Sequence, residues 1–197
     1  MKGWLARVLR LLAMSIAAWL ALRGLAYWHA RDGEALFDGD ADLQVSMSRG
    51  VDRWVDAPLD RADFPTGNAR FDGEWLLVTR MMAAIGYAQL AIEHPELQGE
   101  MRPRVARCLD ALLDPRSRAF DAEAWGHDAL DDLGSDRAHL AFLGYVSLAL
   151  ALAEEIDPET RHAEVADRIA AHLIRLYARS PTGLLETYPG EVYPTDN

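Results

Sequence analysis

The sequence has only one cysteine, Cys108, which excludes an intrachain disulfide and a cysteine-rich metal site. Its six histidines include no HExxH pair, the spacing of a helical zinc site. The acidic run at residues 38–42 begins like a calcium-binding loop, but Leu43 and Arg49 replace the glycine and glutamate that such a loop needs later on. We therefore predict neither a metal nor a cofactor.

Basic residues are scarce outside the N-terminus. The formal net charge is −11, and four of the 20 basic residues but none of the 31 acidic residues precede position 31. The remainder of the chain therefore carries −15, without a basic stripe that could follow a phosphate backbone. These features exclude nucleic acid as a predicted partner.

Residues 1–30 have the composition of an export signal. A basic start precedes the apolar run Leu11–Leu22, which is shorter than the roughly 20 residues of a membrane span. The run extends to Trp28 if the charged end of Arg23 reaches the membrane surface, whereas Gly24-Leu25-Ala26 is a weak cleavage site. We favour an uncleaved anchor in the inner membrane with the body outside the cytoplasm. The alternatives are a cleaved signal, giving a periplasmic or secreted protein, and a soluble amphipathic helix.

The chain after residue 30 divides into an acidic linker and a helical domain. The linker, residues 31–62, contains one short helix near Met47–Val55. In the domain, residues 63–197, a helix predicted from Glu74 to Glu93 with Asp72 as its cap is apolar on nearly every face. A helix without a polar face must be surrounded by protein. An amphipathic covering helix, about 99–113, follows the His94-Pro95 turn.

The pair of helices then recurs. A second apolar helix is predicted over Ser135–Ile156 and a second covering helix to Arg179, with Asp157 as N-cap and Pro158 at the first helical position. Gly144-Tyr145 repeats Gly86-Tyr87 at an offset of 58 residues. We therefore predict an all-α fold of tandem helical hairpins, with loops at residues 114–134 and after the second pair. Both apolar helices should begin on one side of the domain, which we call the rim.

The terminal stretch Glu-Thr-Tyr-Pro-Gly-Glu-Val-Tyr-Pro-Thr-Asp-Asn, residues 186–197, together with hairpins of about 60 residues, resembles the six-hairpin (α/α)6 toroids. That group includes glycoside hydrolases, sugar epimerases and the linalool dehydratase-isomerases. The resemblance covers about residues 63–197. It implies the N-terminal part of a toroid, with two hairpins and the start of a third, whose N-cap would be Thr195-Asp196-Asn197. It also implies further C-terminal hairpins or self-association.

Three loops meet at the predicted rim: residues 63–74, 125–136 and 186–196. Each carries acids and an aromatic residue, which suits a sugar-like or isoprenoid ligand. Acid-base chemistry needs one protonated and one ionised group, so the candidate catalytic residues are Glu186, Glu191, Asp136 and His139, the last expected one turn into its helix. The candidate substrate-binding residues are Asp72, Trp75, Trp125, Asp132, Tyr188, Tyr193 and Asp196.

Structural roles compete with each of these assignments. Acids at helix starts act as caps, His139 suits a satisfied core histidine, and Cys108 suits a buried inert thiol. Arg80 lies in an apolar helix and needs a partner, for which a rim acid is the expected choice. Two functions remain: an exported enzyme of the glycoside hydrolase or epimerase type or of the dehydratase or isomerase type, or a non-catalytic, membrane-tethered binding module.

Overall fold

The computed structural model describes residues 2–197, apart from the side chains of residues 2, 3, 5, 6, 29, 31 and 32. Across these residues the regular structure is helical throughout, with seven α-helices, three 3-10 turns and no strand. This confirms the all-α prediction. The chain forms two compact units, which divide between Met47 and Ser48. We call the second unit, Ser48–Asn197, the body.

The first unit contains α1, Lys2–Phe37, and the start of α2, Ala41–Val55. Within α1, Arg7–Phe37 is long and apolar enough to be a candidate membrane span, and its described side chains are largely exposed. The linker is more helical than predicted because Asp40 caps α2, accepting a hydrogen bond from the Leu43 backbone N–H at 2.9 Å. Gly39, at φ +83°, makes the turn between the two helices.

The core of the body is α3, Ala69–Glu93, one of the two helices predicted to be apolar all round. It also passes the length and apolarity test for a membrane span, but 56% of its apolar window is buried inside the body. We therefore describe it as a core helix. It begins five residues before the predicted Glu74 because Asn68 caps it, accepting from the Arg70 N–H at 3.0 Å.

Two helices cover α3 where the sequence analysis predicted one helix and a loop. They are α4, Gln98–Leu112, and α5, Pro115–Trp125. The predicted loop at 114–134 was wrong over α5, because Asp114 caps that helix with Pro115 in its first turn. Gly126, at φ +75°, ends α5 in the left-handed conformation.

The second hairpin consists of α6, Leu140–Ile156, and α7, Ala163–Arg179. Each core helix ends just before a residue followed by proline, His94-Pro95 after α3 and Asp157-Pro158 after α6, as the repeat predicts. Asp157, however, is the C-cap of α6, and a turn separates it from α7. Its predicted role as the N-cap of the covering helix was wrong.

Cys108 and Arg80 are unusual side chains for an apolar core, and their contacts within the protein account for both. Cys108 is fully buried, and burial raises the pKa of its thiol to about 12, so the thiol is inert as expected. Arg80 hydrogen-bonds to the Ser117 hydroxyl at 2.8 Å and to the backbone carbonyls of Ala111 and Leu59. The predicted pairing of Arg80 with a rim acid was wrong, because neutral oxygens from three segments accept hydrogen bonds from its two terminal nitrogens, while its buried Nε has no hydrogen-bond partner.

Candidate functional site

The first turns of α3 and α6 lie at the same end of the body, as predicted. The Ala141 N–H of α6 donates to the carbonyl of Thr187 at 3.4 Å, and Tyr188 donates from its hydroxyl to Glu74 of α3. One segment, the terminal loop of residues 184–197, therefore contacts both helix starts. Its carbonyls satisfy backbone N–H groups that a helix start leaves free.

The terminal loop is folded rather than extended. Thr187 and Glu191 pair through their backbones at 2.9 Å around Gly190, which has φ +76°. Asn197 fastens the other end, accepting from the Leu185 N–H at 2.6 Å and donating to the carbonyls of Leu185 and Tyr193. Residues Pro194–Asp196 form a 3-10 turn, and the N-cap expected at 195–197 for a following helix stays a prediction.

An open cleft of about 280 Å³ lies between the terminal loop and the two helix starts. We call it the rim cleft. Two acids in its lining are each held by a phenol: Tyr188 donates to Glu74, and Tyr145 donates to Asp196 at 2.9 Å. The Thr187 hydroxyl also donates to Asp196, at 3.1 Å. The lining is polar and aromatic, and comprises Asn68, Arg70, Phe71, Glu74, Ala141, Tyr145, Tyr188, Tyr193, Thr195 and Asp196.

The pKa values of the cleft groups are shifted by burial. Burial raises the pKa of Glu74, against the hydrogen bond from Tyr188, which lowers it, and the charge of Asp196 raises it further. Burial also raises the pKa of Tyr145 to about 12, with help from its bond to Asp196. The pKa of Tyr188 is raised for the same reasons. The phenols therefore remain protonated donors, and Glu74 takes up a proton more readily than an ordinary glutamate.

Arg70 closes one side of the cleft. Its guanidinium carbon lies 4.2 Å from the centroid of the Tyr188 ring, a cation–π distance, and it pairs with Glu191 at 3.2 Å. Tyr193 donates to the same Glu191 carboxylate at 2.9 Å. Glu191 thus holds Arg70 and Tyr193 in place at the mouth.

A second polar cluster, which we call the His139 network, has a buried centre and reaches the surface at Arg137. His139 and Asp121 are completely buried, with Nδ1 of the imidazole 2.6 Å from the Asp121 carboxylate. Nε2 is 3.0 Å from Asp132, which also binds Arg137 through both oxygens. The Trp125 ring stacks against the imidazole at 4.7 Å. Both ring nitrogens face carboxyl groups, an arrangement that favours the imidazolium form of His139, whereas burial raises the pKa of Asp121.

The protonated state of His139 is also supported by its pKa. Burial lowers this pKa, but hydrogen bonds to Asp121 and Asp132 and the charges of those carboxylates outweigh burial and raise it. When both carboxyl groups are ionised, the imidazolium and Arg137 balance them and the network is neutral. His139 is the N-cap of α6, not a residue one turn inside it as predicted, and has a left-handed backbone with φ +47°.

Comparison with known proteins assigns no family to this arrangement. A scan against protein-family models, a search of curated proteins and a search of solved structures find no match to the chain. We therefore infer function from the side chains of the rim cleft.

The predicted site residues lie in or beside the rim cleft, in the His139 network, or elsewhere on the body. Tyr188, Tyr193 and Asp196 line the rim cleft, and Glu191 lies at its edge. Asp72 is beside the cleft in the first turn of α3, where two hydrogen bonds from Thr66 lower its pKa. The His139 network contains His139, Asp132 and Trp125.

The remaining predicted residues face elsewhere. Trp75 is largely exposed on α3 outside the cleft lining. Asp136 is exposed and pairs with Arg175 and Arg179 rather than standing at a helix start. Asp136 and Glu186 line a different depression, of about 370 Å³.

Four functional candidates were missed by sequence reasoning: Glu74, Arg70, Tyr145 and Asp121. Glu74 and Arg70 fall within the start of α3, which begins earlier than predicted. Asp121 lies on α5, and the signal that could have found it is Asp114-Pro115, a cap followed by proline.

Proposed function

We propose that the body binds a small hydroxylated molecule, a sugar or an isoprenoid alcohol, in the rim cleft and acts on it by proton transfer. The observation that carries this proposal is the Glu74 and Asp196 pair lining one cleft, each fixed by a tyrosine hydroxyl. Two carboxyl groups with different surroundings are what acid-base chemistry at a hydroxyl or glycosidic oxygen needs. Aromatic walls supply faces against which a sugar ring or an isoprenoid chain packs.

The two carboxyl groups take different roles. Glu74 is the proton donor because burial and the Asp196 charge raise its pKa. Asp196 accepts hydrogen bonds from Tyr145 and Thr187 and serves as the acceptor for a substrate hydroxyl or a water. Glu191 positions Arg70 and Tyr193. His139 has no contact with solvent and supports the site from beneath.

The test compares Glu74→Gln with Asp72→Asn in the full chain in non-ionic detergent. Asp72 is on the same first turns of α3 but outside the cleft lining, so it is a matched control. With a panel of 4-nitrophenyl glycosides and an isoprenoid alcohol, we expect turnover by the wild type to fall roughly 10²–10⁴-fold in Glu74→Gln. The Asp72→Asn variant should retain it. Equal rates in the wild type and Glu74→Gln would overturn the assignment of the proton donor.

The second candidate function is ligand binding without catalysis. It is favoured because each acid in or beside the cleft already has a partner within the protein. Glu74 is bound by Tyr188, Asp196 by Tyr145, and Glu191 by Arg70. Such a preformed site holds a ligand without rearrangement. Saturable calorimetric binding of sugars with no product from the panel would establish this function in place of the enzymatic one.

We extend the proposal to the location and wider architecture of the protein. The apolar α1, with its basic start, supports an inner-membrane anchor that leaves the body outside the cytoplasm. The pairs α3 with α4 and α6 with α7 support the six-hairpin class, with room for further hairpins or a second copy. Intact mass of the protein from carbonate-washed membranes tests the anchor. A mass lowered by the residues up to Ala26 would show cleavage instead.

A further inference from the structure

The acids of the rim cleft lack compensating positive charge. Among the described residues lining the cleft, Arg70 alone is basic, and its ion pair is with Glu191. The side-chain hydrogen-bond partners of Glu74 and Asp196 are the hydroxyls of Tyr188, Tyr145, Thr187 and Thr195. Hydroxyls orient a carboxylate but do not neutralise it. When both acids are ionised, the cleft carries an excess of negative charge.

The walls of the cleft suit an organic cation. Arg70 already demonstrates this, because its guanidinium rests on the face of Tyr188 at 4.2 Å. Phe71, Tyr145 and Tyr193 bring three more aromatic rings into the same lining. Electron-rich ring faces attract ammonium groups, and the attraction is stronger where the site excludes water.

A metal ion fits this lining poorly. Among the described residues, no group of three or more His, Cys, Asp or Glu side chains is arranged to hold a metal. The cleft has two acids on opposing elements, the start of α3 and the terminal loop, with phenols attached to both. Hard metal ions need more oxygen ligands than this. An ammonium group, with three donors, needs only two or three acceptors.

We propose that the rim cleft selects a ligand that carries an ammonium group on a hydroxylated frame, the class of the amino sugars. The inference rests on the proposed binding of a hydroxylated ligand in the same cleft, in the form without catalysis, because an ammonium group beside Glu74 keeps that carboxyl group ionised and therefore unable to donate a proton. The ammonium lies between Glu74 and Asp196, and the hydroxylated ring packs on the tyrosines. Arg70 marks the edge of the cation-accepting surface and stays paired with Glu191.

A proton linkage accompanies this arrangement. The raised pKa of Glu74 arises from burial first and from the charge of Asp196 in addition. A cation placed beside both acids favours the ionised form and lowers that pKa, so binding releases a proton. Affinity for the ammonium ligand therefore rises as pH increases through the pKa of free Glu74.

The experiment is calorimetric titration of the full chain in non-ionic detergent with three sugars, glucosamine, glucose and N-acetylglucosamine, and separately with tetramethylammonium as a simple cation. The three share a ring, but only the first has an ammonium group. We expect glucosamine to bind at least 10-fold more tightly than the other two, which corresponds to about 1.4 kcal/mol. The preference should shrink in Glu74→Gln and in Asp196→Asn, and persist in Asp72→Asn. Thermal melts select variants that fold like the wild type.

The contrary outcomes separate this inference from the proposed function. Equal binding of all three sugars, or retention of the full preference in both Glu74→Gln and Asp196→Asn, would overturn the cation site and leave the hydroxylated ligand in place. Binding of tetramethylammonium but of no sugar would overturn the amino-sugar class and the proposed function, and show a simple cation site. Absence of binding for every probe would overturn both.

Discussion

The rim cleft and the His139 network both contain two carboxylates, yet the two clusters differ in what satisfies them. In the network, Asp121 and Asp132 face an imidazolium and Arg137, and the charges cancel. In the cleft, Glu74 and Asp196 face hydroxyls, and the charge is left over. Opposite charges that balance one another, as in the His139 network, hold structural elements together. Acids without a balancing positive charge beside a cavity, as in the rim cleft, are available to a ligand.

The network occupies a position that makes its structural role specific. Asp121 belongs to α5, Asp132 to the following loop, and His139 to the start of α6. One imidazolium therefore joins the covering layer of the first hairpin to the core helix of the second. The start of α6 in turn binds the terminal loop, which forms one wall of the cleft. The network thus supports the cleft without contacting a ligand.

The largest expected effect is the loss of stability in Asp121→Ala. This change leaves a buried imidazolium with one carboxylate, and breaking a buried pair in this way costs about 3–5 kcal/mol. Asp131→Ala is the matched control, because Asp131 is an exposed acid next to Asp132 and should change stability by no more than about 0.5 kcal/mol. Urea unfolding of the full chain measures both. Similar midpoints would show that the network does not join the hairpins.

The second prediction concerns Gly73, which lies next to Glu74 and touches α5. A Cβ added at Gly73 would lie 2.3 Å from the Cβ of Phe120, so α3 and α5 must separate. We expect Gly73→Ala to destabilise the body by about 1–3 kcal/mol. Gly86 in the same helix has open space around it, and Gly86→Ala should instead stabilise by up to about 1 kcal/mol. The melting temperature should fall in Gly73→Ala and rise in Gly86→Ala. Shifts of the same sign in the two variants would contradict this prediction.

The third prediction is a pH dependence specific to His139. Its folded pKa is raised, so the stabilisation from its charge is complete below the ordinary histidine pKa of about 6.5 and is lost as pH rises through the folded pKa. His172, which faces the same region, has a pKa lowered by burial and an opposite pH dependence. A variant must therefore be compared with the wild type.

We choose His139→Asn for that comparison, because asparagine tolerates the left-handed backbone at this position. The stability difference between the wild type and this variant should decrease from pH 6 towards high pH, as measured by denaturant unfolding at each pH. A difference that is constant or grows with pH would mean that the imidazole is neutral in the folded protein.

Much of the fold could be predicted because it depends on local pattern. The two apolar core helices need protein on all sides, and proline follows the residue after each of them, so their existence and ends were correct. The predicted first residues of these two helices were wrong. A cap residue followed by proline looks the same at Asp114 and Asp157, yet only Asp114 begins a helix there. The tertiary packing around each segment decides between the two outcomes.

The candidate site could likewise be predicted only where it depends on local sequence pattern. The terminal loop is conspicuous in composition, and four of its residues line the cleft: Tyr188, Tyr193, Thr195 and Asp196. Glu74 was missed because nothing near it in sequence distinguishes it from an ordinary helix acid. Its partner Tyr188 lies 114 residues away, and the environment that raises its pKa exists only after both hairpins have packed. Pairings of this kind are properties of tertiary structure.

The smallest expected effect comes from Asp136, a third acidic position that belongs to neither cluster. It pairs with Arg175 and Arg179 while its side chain is 85% exposed. Exposed pairs contribute about 0–1 kcal/mol because water already solvates both charges. We expect Asp136→Asn to change stability by less than about 1 kcal/mol and to leave sugar binding intact, as measured by urea unfolding and calorimetry. A large loss of binding would move the ligand site to the depression formed by Asp136 and Glu186, away from the rim cleft.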